Sequence, residues 1–103
     1  MKRRNITIRT HEGSKEVAGY VSEAFPGIAV HRSVGISDMW TATHIESGKG
    51  ISCRFPLRRN ASCFSALAAR EMDFTNSGSE VEEMVSKDRR LRIKLLVLVD
   101  RFS

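Results

Sequence analysis

The stretch Arg54-Phe55-Pro56-Leu57-Arg58-Arg59-Asn60-Ala61 holds the residues best suited to chemistry in this chain of 103 residues. Two arginines just ahead of a helix start set guanidinium forks beside open backbone N–H groups at the positive end of the helix dipole, an arrangement that binds phosphate. No acidic residue lies between positions 51 and 70 to neutralise them locally. Arg54, Arg58, Arg59 and Asn60 are therefore candidate binding residues. Lys49, in the turn Gly48-Lys49-Gly50, and the N-terminal Arg3, Arg4 and Arg9 are added to them. The formal net charge is +5. It divides into +4 on residues 1–10 and +4 on residues 51–70, on a remainder of −3. Such a surplus favours polyanions or acidic protein faces as partners.

Other chemistries find less support. The chain has no Gly-x-Ser-x-Gly elbow, no His-Glu-x-x-His pair and no phosphate-cradling glycine loop, and Gly48-Lys49-Gly50 fits a hairpin turn. His31 and His44 fall on neighbouring strands and would face each other if antiparallel pairing put them on one sheet face. Cys53 or Glu46 would then have to complete a metal site. Tetrahedral zinc sites declare closer ligand spacing, so no metal or cofactor is expected, and the two imidazoles read as half-exposed polar strand residues. Cys53 and Cys63, the two cysteines, read as buried small hydrophobes. Trp40 invites base stacking, but one tryptophan among seven aromatics reads first as core or contact patch.

A hydrophobic fraction of 41% beside 28% charged residues fits a globular chain of one domain. Asn5 to Thr10 alternates Ile6 and Ile8 with polar residues, predicting a strand. Ser14 to Phe25 reads as a helix, from Val17, Ala18, Val21, Ala24 and Phe25, stopped by Pro26-Gly27. Ile28 to Val34 has a period of two, with Ile28, Val30 and Val34 on one face and Ala29, His31 and Ser33 on the other. Gly35 to Asp38 turns it into Met39–Glu46, and Ser47 to Gly50 turns that strand into Ile51–Phe55, making an antiparallel meander. Asn60 is the expected cap of an Ala-rich helix through Met72 with Phe64, Leu67 and Ala68 as its stripe. Ser79 to Glu82 has the pattern of a capping box opening a short helix. Leu91, Leu95, Leu98 and Phe102 predict a terminal amphipathic helix, against the alternative of a strand over residues 91–99. The expected fold is α+β: a three- to four-stranded antiparallel sheet packed by helices, with core 5–72 and a helical C-terminal segment 79–102. The N-terminus never reaches the apolar run of a signal peptide and no stretch is long enough to span a membrane, so a cytoplasmic protein is expected.

Two resemblances add to this. The order helix, three strands, helix over Ser14 to Met72, with Gly48-Lys49-Gly50 and Arg58-Arg59-Asn60-Ala61, is similar to the double-stranded RNA-binding domain. That likeness implies phosphate contacts from Arg58 and Arg59. It lacks the family's Gly-Pro-x-His loop, where this chain has Val34-Gly35-Ile36-Ser37-Asp38, and a third helix-opening lysine. The run Trp40-Thr41-Ala42-Thr43-His44-Ile45-Glu46-Ser47-Gly48 resembles a strand and turn found in small accessory proteins of phages and mobile elements, over about half the chain. Such proteins include anti-CRISPR inhibitors, which act by occupying a surface.

The expectation is a non-enzymatic binding or inhibitor protein whose basic face engages nucleic acid or a nucleic-acid-bound protein complex. The alternative is a protein–protein module or homodimer formed through the apolar segment from Leu91 to Phe102.

Overall fold

The computed structural model describes the chain except residues 11, 35–37 and 76–77 and the side chains of residues 53, 54 and 78–82. Five strands, β1 (Lys2–Thr10), β2 (Gly13–Val21), β3 (Ile28–Arg32), β4 (Trp40–His44) and β5 (Gly50–Phe55), are followed by helices α1 (Arg58–Glu71), α2 (Gly78–Lys87) and α3 (Arg89–Phe102). The strands form one antiparallel sheet in sequence order. The class is α+β, with five strands where three to four were expected.

The extra strand is β2, where helical spacing had pointed to a helix. Its partner decides the matter: β1 and β2 pair without a break from Lys2↔Val21 to Thr10↔Gly13. Within β2, Val17, Gly19 and Val21 recur at a period of two and share the face of Ile6 and Ile8, so pairing buries β-branched side chains that a lone helix would leave half wet. Gly19 lies against Ile6 and Ala29 on this face, where a Cβ would stand at ordinary contact distance from both. With β2 a strand, the order helix, three strands, helix that resembled the double-stranded RNA-binding domain is not the order observed.

The two faces of β3 and β4 separate as their alternation predicted. Ile28, Val30, Ala42 and Phe55 meet Ala61, Phe64 and Ala68 of α1 and Leu91 and Leu95 of α3 in the main core. Phe55 and Phe64 stack with ring centres 4.9 Å apart. The opposite face carries Ile6, Ile8 and Ala29 in a second, smaller cluster. That face is concave, because the Arg9 N–H donates to the Gly48 carbonyl at 2.8 Å and draws β1 back against the β4–β5 turn.

Helix α1 begins at Arg58, two residues before the expected cap. Leu57, extended after Pro56, stands at the cap position without a side-chain bond. Asn60 is committed elsewhere: its Nδ2 donates to the Phe102 carbonyl at 2.9 Å and ties α1 to the end of α3. Cys63 points away from the stripe Ala61, Phe64, Ser65 and Ala68 and is exposed, contrary to the buried thiol expected; the Cys53 side chain lies outside the described residues. The C-terminal segment is a helix, as its spacing favoured. Asp88 accepts from the Leu91 N–H as its cap, and Leu91 and Leu95 are buried. Helix α2 starts at Gly78 and takes in the expected capping box Ser79 to Glu82, whose side chains lie outside the described residues, as do residues 35–37 of the expected turn Gly35 to Asp38. Among the described residues no helix is long and apolar enough to cross a membrane.

Candidate nucleic-acid interface

The register of the sheet brings together residues that are distant in sequence. On the helix-bearing face Arg3 stands opposite Tyr20, Tyr20 opposite Val30, and Arg32 opposite Trp40. The first turn of α1 closes over this end of the sheet. The Arg58 guanidinium lies 4.6 Å from the Tyr20 ring centre, the Tyr20 and Trp40 ring centres are 6.2 Å apart, and the Arg32 guanidinium lies 5.3 Å from the Trp40 ring centre. The result is a continuous ladder, Arg58, Tyr20, Trp40, Arg32, with Arg3 beside it. The two arginine contacts set a cation over the electron-rich face of a ring, and Tyr20 and Trp40 join them as a tilted ring pair.

The same end of the molecule brings the start of the first basic segment to the helix-opening arginines of the second. The Ser62 hydroxyl donates to the Met1 sulfur, so the start of β1 lies against α1 beside Arg58 and Arg59. The first turn of α1 holds no acidic residue, and its opening N–H groups have no side-chain cap. Among the described residues, Arg3, Arg4, Arg9 and Arg59 form no ion pair, whereas Lys87 pairs with Glu83 and Lys94 with Glu71 on the helices. At this end the charges of Arg3 and Arg59 are thus not neutralised by an ion pair among the described residues.

The candidate basic residues fall in two groups along the sheet. Arg3 and Arg9 are six residues apart on one strand, about 20 Å at roughly 3.3 Å per residue. Arg3, Arg58 and Arg59 share one end. Arg9 and Lys49 share the other, where β1 meets the β4–β5 turn. Arg4 is exposed but points to the opposite face from Arg3. Asn60 belongs to the fold, through its bond to Phe102. The Arg54 side chain lies outside the described residues. Tyr20 and Arg32 are additions that the sequence did not single out, and the misassigned helix is what hid Tyr20.

The two histidines do not meet. His31 pairs with Thr41 and His44 with Ile28, which puts their side chains on opposite faces of the sheet. Both are buried, not half-exposed as expected. Both ring nitrogens of each are engaged: His31 with the Arg32 carbonyl and Thr43, His44 with Ser47 and the Phe74 carbonyl. Among the described residues no group of His, Cys, Asp and Glu could hold a metal ion. Comparison with protein-family models, with curated proteins and with solved structures returned no match.

Proposed function

We propose that the chain is a non-enzymatic nucleic-acid-binding protein whose contact surface is the arginine–aromatic ladder together with Arg3 and Arg59. The observation that carries this reading is the Arg58–Tyr20–Trp40–Arg32 ladder beside unpaired arginines at an uncapped helix start. A guanidinium resting on a ring keeps its N–H groups directed outward and has less rotamer freedom left to lose on binding. Arg58, Arg59 and Arg3 contact phosphates, and the half-buried rings fix their spacing. Occupation of a nucleic acid in this way would also inhibit a nucleic-acid-processing defence complex, the role that a phage or mobile-element accessory protein of the cytoplasm would have. The test is binding to duplex DNA, duplex RNA and single strands across a salt series, with Arg58 and Arg59 replaced by alanine.

A second reading is self-association through the C-terminal helix. The inner stripe of α3 packs on the chain's own core, but Ile93, Leu96 and Val97 on its outer side are 49%, 59% and 60% exposed. Light scattering over a dilution series tests it: a monomer at every concentration excludes the dimer.

A further inference from the structure

Helix α3 has one side on the core and one in solvent. Leu91, Leu95, Leu98 and Phe102 pack inward, whereas Ile93, Leu96 and Val97 are exposed. At roughly 100° per residue, Arg89, Ile93, Leu96 and Asp100 fall within about 60° of arc on the side opposite the buried stripe. The outer side is therefore a line of one cation, two branched apolar residues and one acid.

The two charged residues stand against the helix dipole. Arg89 is the first residue of the helix, at its positive end, and Asp100 lies in the last turn, at its negative end. Among the described residues neither forms an ion pair. Exchanging them would suit the isolated helix better, so their order points to a partner. The neighbouring cations stand to the flanks: Lys94 bonds Glu71 of α1, and Arg92 borders a cavity between α3 and the β4–β5 turn.

This line is complementary to its own reverse. In an antiparallel pair of α3 helices whose two-fold axis passes midway between Lys94 and Leu95, Ile93 stands level with Leu96 of the second copy and Arg89 with its Asp100. Two-fold symmetry makes each contact twice. The apolar pairs take the centre and the ion pairs the ends, the division of an interface into apolar core and polar rim. A parallel pair would set Arg89 against Arg89 and Asp100 against Asp100.

We propose that a second copy of this chain docks on the outer side of α3 in this antiparallel register, an inference that rests on the self-association reading and fixes its geometry. The helix has 14 residues, about 21 Å, so the contact is small for a protein interface and the dimer is transient.

The test is sedimentation of the full chain at low salt from about 10 μM to 1 mM, the range that a small interface requires. The unaltered chain is expected to dimerise within it. Arg89→Asp sets like charges level with each other at both ends of the pair, as does Asp100→Arg, and each is expected to weaken the dimer at least ~5-fold. Both changes agree with the helix dipole, so neither variant should melt below the unaltered chain. An equimolar mixture of the two variants has opposite charges at both ends again, and its heterodimer should regain the unaltered affinity to within about 3-fold. Association that neither variant weakens, or that the mixture does not restore, would overturn this register and leave self-association standing. A monomer throughout the range would overturn both.

Discussion

The Arg58 guanidinium stands 4.6 Å from the centre of the Tyr20 ring, joining the first turn of α1 to the second strand of the sheet. The contact spans 38 residues of sequence and depends on β2 being a strand. It fixes where the positive charge of the helix start points. If it orients Arg58 for a phosphate, Tyr20→Leu should keep the fold, since leucine fills a half-buried position, yet weaken nucleic-acid binding about 2–5-fold, the equivalent of roughly 0.5–1 kcal/mol for an exposed cation–π contact. Fluorescence anisotropy at fixed salt measures this. Unchanged affinity would mean that the ring serves packing alone.

Gly27 is held where no other residue fits. Its φ is +85°, and a Cβ would stand 2.3 Å from the Phe74 carbonyl oxygen, a backbone atom that cannot swing aside. Its own carbonyl accepts from the Ile45 N–H. Gly27→Ala is expected to lose at least about 2 kcal/mol of stability from the left-handed backbone and the clash together. Urea unfolding of the purified variant checks it, and a loss under about 0.5 kcal/mol, the scale of an ordinary surface change, would contradict the packing described.

Asn60 separates fold from function inside the basic segment. Asn60→Ala removes the bond to the Phe102 carbonyl and should cost about 1 kcal/mol, with faster amide exchange in the last turn of α3. Its effect on nucleic-acid affinity should be nil, in contrast to Arg58 and Arg59 two and one residues away.

Much of this was legible in the sequence, for identifiable reasons. The β3 to β5 meander showed itself through the period of two over Ile28 to Val34, the β-branched run of Met39 to Glu46 and the glycines of the expected turns, and α3 through the spacing Leu91, Leu95, Leu98, Phe102. β2 was not legible, because Val17, Ala18, Val21, Ala24 and Phe25 fit a helix and only the pairing with β1 favours the strand. Half of the candidate site went with it: the charges of Arg3, Arg58 and Arg59 stood out, whereas Tyr20 lay on the misread segment. The separation of Arg9 and Lys49 from the other arginines is likewise tertiary, set by the curl that brings Arg9 to Gly48. His31 and His44 were adjacent on paper, and the one-residue parity of the register parted them.

Burial of His31 makes stability depend on pH. Removal from water holds its pKa below the ordinary value near 6.5, with the bond to the Arg32 carbonyl acting in the opposite direction. The unfolded chain thus takes up this proton at a higher pH than the folded one. The stability contributed by neutral His31 is complete above about pH 6.5 and declines as pH falls toward the folded pKa, by at most about 1.4 kcal/mol per pH unit. Unfolding at pH 7 and pH 5 should show a loss that is smaller in His31→Gln. An NMR titration in which the His31 ring protonates at or above pH 6.5 would contradict the account.

The most direct measurement of the central claim is the dependence of nucleic-acid affinity on salt for the unaltered chain and for the triple variant Arg3→Ala, Arg58→Ala, Arg59→Ala. Three phosphate contacts predict a log–log slope of about −2 to −3, between the single-strand and duplex limits, and a triple variant whose slope and low-salt affinity both collapse. A slope and affinity that survive removal of all three arginines, or no binding to any nucleic acid at low salt, would contradict it.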